Sequence, residues 1–243
     1  MSGIFNPTVA SITLRSATGR KRALLFGLPA LVLILVTLVL KAAHPANPNW
    51  PSLILGTFGF TVVIPLTALL IGTAVLGAEI DDGSIVHLLA TPVRRSSIIM
   101  TKFAVAAGLT MLLAAVPVFV AGLIVTGGAT KFALGLFIGA LAGSVAYNAL
   151  FIMFSAVTTR AVAVGLLYVL IWEGLLGNLV SGARVLSIGH YSLGIVNAIS
   201  PHTSLDAGLG LTTAVVMGVI VTAAALVVAT RRLARFSLRG DAL

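Results

Sequence analysis

The sequence contains no cysteine, and only 9% of its 243 residues are charged. The absence of cysteine excludes disulfide bonds, thiolate metal sites and cysteine nucleophiles from the chemistry of the chain. Acidic residues are especially scarce, since 6 Asp and Glu accompany 15 Lys and Arg. A soluble domain of this length needs far more charge on its surface, so the composition indicates an integral membrane protein.

Motifs for enzymatic chemistry are also missing. The sequence has no G-x-x-x-x-G-K-[ST] loop, no H-E-x-x-H pair and no G-x-S-x-G elbow. Its histidines fall on both predicted sides of the membrane and therefore cannot form one metal site. The apolar runs lack the paired acids of an intramembrane protease. We therefore predict no catalytic residues and no bound metal, and we expect that the chain is not an enzyme.

Six apolar runs are long enough to cross a membrane, which takes about 20 residues as a helix. They cover residues 23–40, 53–77, 103–126, 132–157, 161–180 and 212–230. The first run is longer than the ~7–15 apolar residues of a secretory signal, so we expect a retained span. The sequence thus predicts an all-α polytopic membrane protein with six transmembrane helices in residues 23–230.

The distribution of basic residues predicts the orientation of these spans. Alternating segments hold 12 Lys and Arg on one side and 3 on the other. By the positive-inside rule, both termini and the loop 79–102 are cytoplasmic, in the inner (plasma) membrane. Residues 1–22 are then a cytoplasmic segment, either an interfacial helix or a basic tail, and residues 231–243 form a basic tail. The charge flanks the spans and forms no continuous face, which argues against nucleic-acid binding.

The segment 181–211 is apolar but too short and broken to cross the membrane. Gly189 and Gly194 interrupt its apolar stretch. We predict a re-entrant or interfacial segment on the outer side, between the fifth and sixth spans.

Small residues and prolines indicate how the spans pack. Gly135, Gly139 and Gly143 lie on one face of the fourth span and allow another helix to approach closely. That helix belongs either to the same chain or to a second subunit. Pro65 and Pro117 fall inside the second and third spans, where each removes a backbone hydrogen bond and is expected to kink its helix.

Glu173 is the ionisable residue placed well inside a predicted span, next to Trp172. A charge at that depth costs ~2.5–3.5 kcal/mol, so the carboxylate should face protein or water. One hypothesis places both residues on a substrate path. The alternative is a structural hydrogen bond between helices.

The loop 79–102 combines an acidic cluster with a short amphipathic helix. Asp81 or Asp82 can cap a helix that begins near Gly83 and ends before Pro92. The apolar stripe of this helix consists of Ile85, Val86, Leu88 and Leu89. The stripe could rest on the inner leaflet, but that leaflet is anionic and repels carboxylates, which favours docking on a protein.

At these residues the chain resembles the signature loop of the ABC-2 type transporter permeases. The motif reads Glu79-x-Asp81-x-Gly83-Ser84-Ile85-x-x-Leu88-Leu89-Ala90-x-Pro92-Val93-x-Arg95, followed by Lys102. The family typically shows E-x-E-x-G-T-L-x-x-L-L-x-x-P-V-x-R and then a Lys. Asp81, Ser84 and Ile85 are mild departures from it. The predicted spans and termini extend the resemblance over nearly the whole chain.

The resemblance implies a permease subunit of an ATP-binding-cassette exporter. Such a permease pairs with a second permease, identical or paralogous, and binds cytoplasmic ATPase subunits that carry ATP and Mg, so this chain itself holds no cofactor. The residues that would couple to the ATPase are Glu79, Asp81, Asp82, Gly83, Ser84, Ile85, Leu88, Leu89 and Pro92.

Two alternative functions remain open. A secondary transporter or channel would need ion-coupled acids in several spans, and a membrane assembly factor would leave the proline-containing spans without a purpose. The apolar path does not identify a substrate.

Overall fold

The computed structural model describes residues 6–17, 19–43, 49–81, 94–128, 130–179, 181–201, 205 and 208–235. Every regular element within these ranges is helical, which confirms the predicted all-α class. Eight helices make up the described bundle: α1 (Pro7–Ala17), α2 (Arg20–Ala43), α3 (Trp50–Ser52, Leu53–Val63 and Ile64–Asp81), α4 (Arg95–Thr126), α5 (Thr130–Val157), α6 (Ala161–Leu176 with the turn Gly177–Leu179), α7 (Ile188–Ile199) and α8 (Leu211–Arg235).

Five of these helices, α2, α3, α4, α5 and α8, are long and apolar enough to cross a membrane. They correspond to five of the six predicted spans. The remaining predicted span, 161–180, contains α6, whose apolar helix Ala161–Leu176 is shorter than the others. A six-span arrangement therefore stays a prediction.

Pro65 and Pro117 each follow a widened helical turn, whereas Pro29 lies inside α2 without one. Over Leu53–Val63 and Met111–Ala115 the backbone forms i→i+5 hydrogen bonds, and the helices continue past Pro65 and Pro117. A proline removes an N–H and its ring displaces the carbonyl one turn earlier, so a wider turn lets the helix continue. A third widened segment, Tyr168–Leu176 in α6, contains no proline.

The helix α5 forms the centre of the bundle and packs against α3, α4, α7 and α8. It contributes to two apolar clusters, one along most of its length and one near its C-terminal end. One cluster surrounds Tyr147 and Phe60, and the other surrounds Ile152 and Ile98. In contrast, α2 and α8 expose most of their apolar side chains, as expected for helices that face lipid.

The N-terminal segment, which the sequence left open between helix and tail, is helical over Pro7–Ala17. The side-chain oxygen of Asn6 accepts hydrogen bonds from the backbone N–H groups of Thr8 and Val9, and so caps the helix. The Asn6 N–H donates to Thr101 Oγ1 at 3.0 Å. The helix α1 therefore lies against the beginning of α4.

Candidate functional site

The predicted coupling loop joins the end of α3 to the beginning of α4. Residues 82–93 lie outside the described part of the chain. For Glu79 and Asp81 the structure describes the backbone, which forms the last turns of α3. The loop residues outside the description are Asp82, Gly83, Ser84, Ile85, Leu88, Leu89 and Pro92. Their coupling role stays a prediction.

Lys102 ties together the two helices that carry this loop. Its side chain is fully buried on α4, and its Nζ donates a hydrogen bond to the Val75 carbonyl on α3 at 2.7 Å. A buried ammonium group is costly unless polar partners surround it. The sequence marked Lys102 only as part of a motif. Its burial could not be read from charge and hydropathy, which predict a lysine at a span end to face water.

The glycine face of α5 receives α7. A Cβ built at Gly139 would lie 2.5 Å from Val196 Cγ2 and 2.7 Å from the Ser192 carbonyl. At Gly143 it would lie 2.7 Å from Ser192 Oγ, and at Gly135 it would lie 3.3 Å from the Val196 carbonyl. No other residue fits at Gly139 without displacing α7, so the glycines let two backbones touch.

Glu173 holds the beginning of α7. Its carboxylate is buried on α6 and accepts hydrogen bonds from the backbone N–H groups of Ile188 at 2.9 Å and Gly189 at 3.2 Å. It also accepts from the hydroxyl groups of Tyr168 at 2.9 Å and Ser187 at 2.5 Å. A negative charge at a helix N-terminus satisfies donors that have no partner within the helix.

Ser187 completes this cap. Its Oγ accepts a hydrogen bond from the His190 N–H at 3.3 Å, while its hydroxyl donates to Glu173. Trp172, the other predicted substrate-path residue, is partly buried and donates from Nε1 to the Leu186 carbonyl at 3.2 Å. Both residues of that hypothesis therefore bind the segment that connects α6 to α7.

Asn148 is a buried polar residue that the sequence analysis missed. It is fully buried on α5, and its Nδ2 donates to Thr110 Oγ1 and to the Ser144 carbonyl, both at 2.8 Å. A Cβ built at Gly72 on α3 would lie 3.2 Å from the Asn148 Oδ1. Asn148 therefore lies where α3, α4 and α5 meet. The sequence did carry a signal for this site, namely an amide side chain within an apolar run.

Two concave regions lie beside α5. A groove of about 380 Å³ between α5, α7 and α8 is almost wholly apolar. A larger cavity of about 720 Å³ lies between α2, α3, α5 and α6, close to the turn that joins α5 to α6. The larger cavity has Arg160 in its lining.

Comparison with known protein families agrees with this architecture. Residues 19–181, more than half of the chain, match the family described as ABC-2 family transporter protein. Among curated proteins no match was found. Permeases of this family are non-catalytic membrane components that generally dimerise and work with an ATPase subunit. With this match and its long apolar helices, the chain belongs to the ABC-2 transporter family as a membrane transport permease.

Proposed function

We propose that the chain is the permease subunit of an ATP-driven exporter. In this proposal it forms the translocation path together with a second permease, and a separate cytoplasmic ATPase binds the loop between α3 and α4. Family membership and the absence of an ATP-binding loop from the sequence support this division of labour.

The hydrogen bond between Lys102 and Val75 is the observation that carries the proposed coupling. It joins α3 before the loop to α4 after it, at 2.7 Å and away from solvent. A force applied to the loop would therefore move both helices together, since neither can shift without breaking a charge-assisted hydrogen bond. The linked pair acts as one element whose position the nucleotide state of the ATPase biases.

The position of α1 supports a cytoplasmic docking surface at this end. Its cap residue Asn6 is hydrogen-bonded to Thr101, one residue before Lys102. An ATPase that grips the loop would lie close to α1 as well. We propose that both elements belong to the surface that the ATPase contacts.

The proposed topology has six spans with both termini in the cytoplasm of a plasma membrane. In this arrangement α6 is the fifth span. The first turn of α7 lies inside the bundle, where a Cβ built at Gly189 would lie 3.4 Å from Tyr147 Oη. The same helix then runs along the glycine face of α5 towards Gly135. A short helix that starts within the bundle supports a re-entrant segment on the outer side.

Co-purification tests the proposed function directly. The chain is expressed with a candidate cytoplasmic ATPase and purified in a gentle detergent, and the stimulation of ATP hydrolysis by the permease is measured. The double variant Ile85→Asp, Leu88→Asp places charges on the predicted apolar stripe and should abolish both binding and stimulation. The matched control Ile85→Val, Leu88→Met keeps the stripe apolar and should retain both.

Two results would contradict the proposed function. A permease that purifies alone and moves cargo down an ion gradient would be a secondary transporter. Normal stimulation by the charged double variant would show that this loop is not the coupling element.

A further inference from the structure

The cavity between α2, α3, α5 and α6 has one apolar side and one polar side. Its volume of about 720 Å³ falls within the range of small-molecule sites, which is roughly 300–1,000 Å³. The apolar side is formed by Phe26, Leu70 and Leu166, one from each of α2, α3 and α6. A hydrocarbon chain could lie against these residues without losing contact with apolar surface.

The polar side is the turn between α5 and α6. Arg160 is the one charged side chain among the described residues that line the cavity, and Thr158 and Thr159 lie beside it. Thr158 Oγ1 accepts a hydrogen bond from the Arg160 N–H at 3.1 Å, which leaves its hydroxyl hydrogen available. This turn therefore offers hydrogen-bond donors and a positive charge.

Besides the guanidinium group, the beginning of α6 offers further hydrogen-bond donors. The first backbone bond within this helix runs from the Val164 N–H to the Arg160 carbonyl at 3.1 Å. The preceding N–H groups of Ala161, Val162 and Ala163 have no acceptor within the helix, and these three residues line the cavity. The helix dipole also favours negative charge here.

The hydroxyl groups on the other walls do not compete for an anion. Thr73 donates to the Leu69 carbonyl at 2.6 Å, and Ser155 donates to the Phe151 carbonyl at 3.0 Å. Both donors are used within their own helices, so the walls formed by α3 and α5 behave as weakly polar surfaces. The cavity thus separates a cationic, donor-rich turn from an apolar interior.

We propose that this cavity binds an amphiphile whose headgroup carries a phosphate and a net negative charge. The phosphate oxygens bind Arg160 and the hydroxyls of Thr158 and Thr159, and a hydrocarbon chain lies along Phe26 and Leu70. The inference rests on the proposed function, since it places this end of the bundle at the cytoplasmic leaflet, which is rich in anionic lipids.

The test uses the full-length permease, freed of lipid in detergent, without ATPase or nucleotide. Native mass spectrometry measures binding of phosphatidylglycerol in competition with phosphatidylcholine. Arg160→Gln should reduce the preference for phosphatidylglycerol about tenfold, as expected for one hydrogen-bonded charge. The control Arg231→Gln removes the same charge from an exposed position on α8 and should leave the preference unchanged.

A second variant tests the cavity without changing its charge. Ala163→Phe adds a ring at an exposed position of the lining, where folding is not at stake, and should lower binding of both lipids. Inorganic phosphate is the third probe, and it should not displace phosphatidylglycerol at equal concentration, because it lacks the hydrocarbon chain.

Three results would overturn the inference. Equal losses in Arg160→Gln and Arg231→Gln would indicate general surface electrostatics. Equal binding of both lipids by the unaltered chain would exclude a site selective for anionic headgroups, since both lipids carry a phosphate and only phosphatidylglycerol has a net negative charge. Displacement by inorganic phosphate would assign the turn to a soluble anion. None of these results bears on ATPase coupling, and loss of coupling in the loop variants would not affect lipid binding.

Discussion

The Glu173 carboxylate and the Ile188 backbone N–H are joined at 2.9 Å across a break in the helical path, so a side chain of α6 caps α7. The cap is built from residues that are far apart in the chain but adjacent in space. The connecting 3-10 turn Ser181–Leu186 brings them together. This relationship determines what a change at Glu173 should do.

Replacing Glu173 with Gln should destabilise the protein. An amide keeps one acceptor oxygen but turns an N–H₂ group towards donors of Ser187 and Gly189. Unsatisfied buried donors cost roughly 1–3 kcal/mol, which lowers the melting temperature of a chain of this size by several degrees. The measurement is thermal unfolding in detergent, combined with an export assay.

Trp172→Phe is the control for this change, because it removes one partly exposed hydrogen bond from the same turn. Its effect on the melting temperature should be smaller. An altered export profile with unchanged stability in Glu173→Gln would support the substrate-path hypothesis for Glu173 instead.

A methyl group on the glycine face should be poorly tolerated. At Gly139 it would lie 2.5 Å from Val196 Cγ2, so Gly139→Ala should destabilise the α5–α7 contact by about 1–3 kcal/mol. Gly108→Ala on α4 is the matched control, since nothing lies within 4 Å of the added group. That variant should be neutral or stabilising by about 0.5–1 kcal/mol. Equal melting temperatures for the two variants would contradict the tight contact.

Lys102→Met should uncouple ATP hydrolysis from transport. The thioether has a similar length but cannot donate to the Val75 carbonyl, so α3 and α4 lose their link beside the loop. We expect at least half of the transport-dependent ATPase stimulation to disappear while the protein still inserts. Lys131→Met, an exposed lysine at the beginning of α5, should leave stimulation unchanged. Full coupling in Lys102→Met would refute the link.

A disulfide can test whether α7 moves away from α5 during transport. The chain has no cysteine, so the pair Gly143→Cys, Ser192→Cys would be the sole reactive pair. The Cβ atoms would lie 3.6 Å apart, within the ~3.5–4.5 Å range of disulfides. Because α7 fits closely against the glycines, we expect the two helices to move together, so oxidation should leave export at the level of the reduced variant. Loss of export that a reductant restores would show that α7 separates from α5.

Hydropathy predicted the helices whose contacts are with lipid or with apolar neighbours. The runs containing α2, α3, α4, α5 and α8 are long and uniform, and length alone defines them. The run 161–180 was predicted as a full span, but its helix Ala161–Leu176 is shorter than the five long helices. In that run, Tyr168–Leu176 departs from the regular helix and directs Glu173 towards α7.

The partners of individual polar residues could not be predicted from the sequence, for a different reason. The glycine spacing predicted close approach of a helix, but α7 is brought to that face by the turn 181–186. Lys102 and Asn148 are buried because residues from other helices surround them, as Val75 and Thr110 show. Such pairings depend on tertiary arrangement and leave no periodic trace in one chain.

The position of α7, packed against α5 and capped by α6, also implies an order of assembly. A helix of 12 residues is too short to be recognised as a membrane segment during insertion, since that takes about 20 residues. Its receptor surface on α5 and its cap on α6 both precede it in the chain. In the proposed re-entrant arrangement, the nascent protein must therefore integrate and pair those two helices before α7 can pack against them.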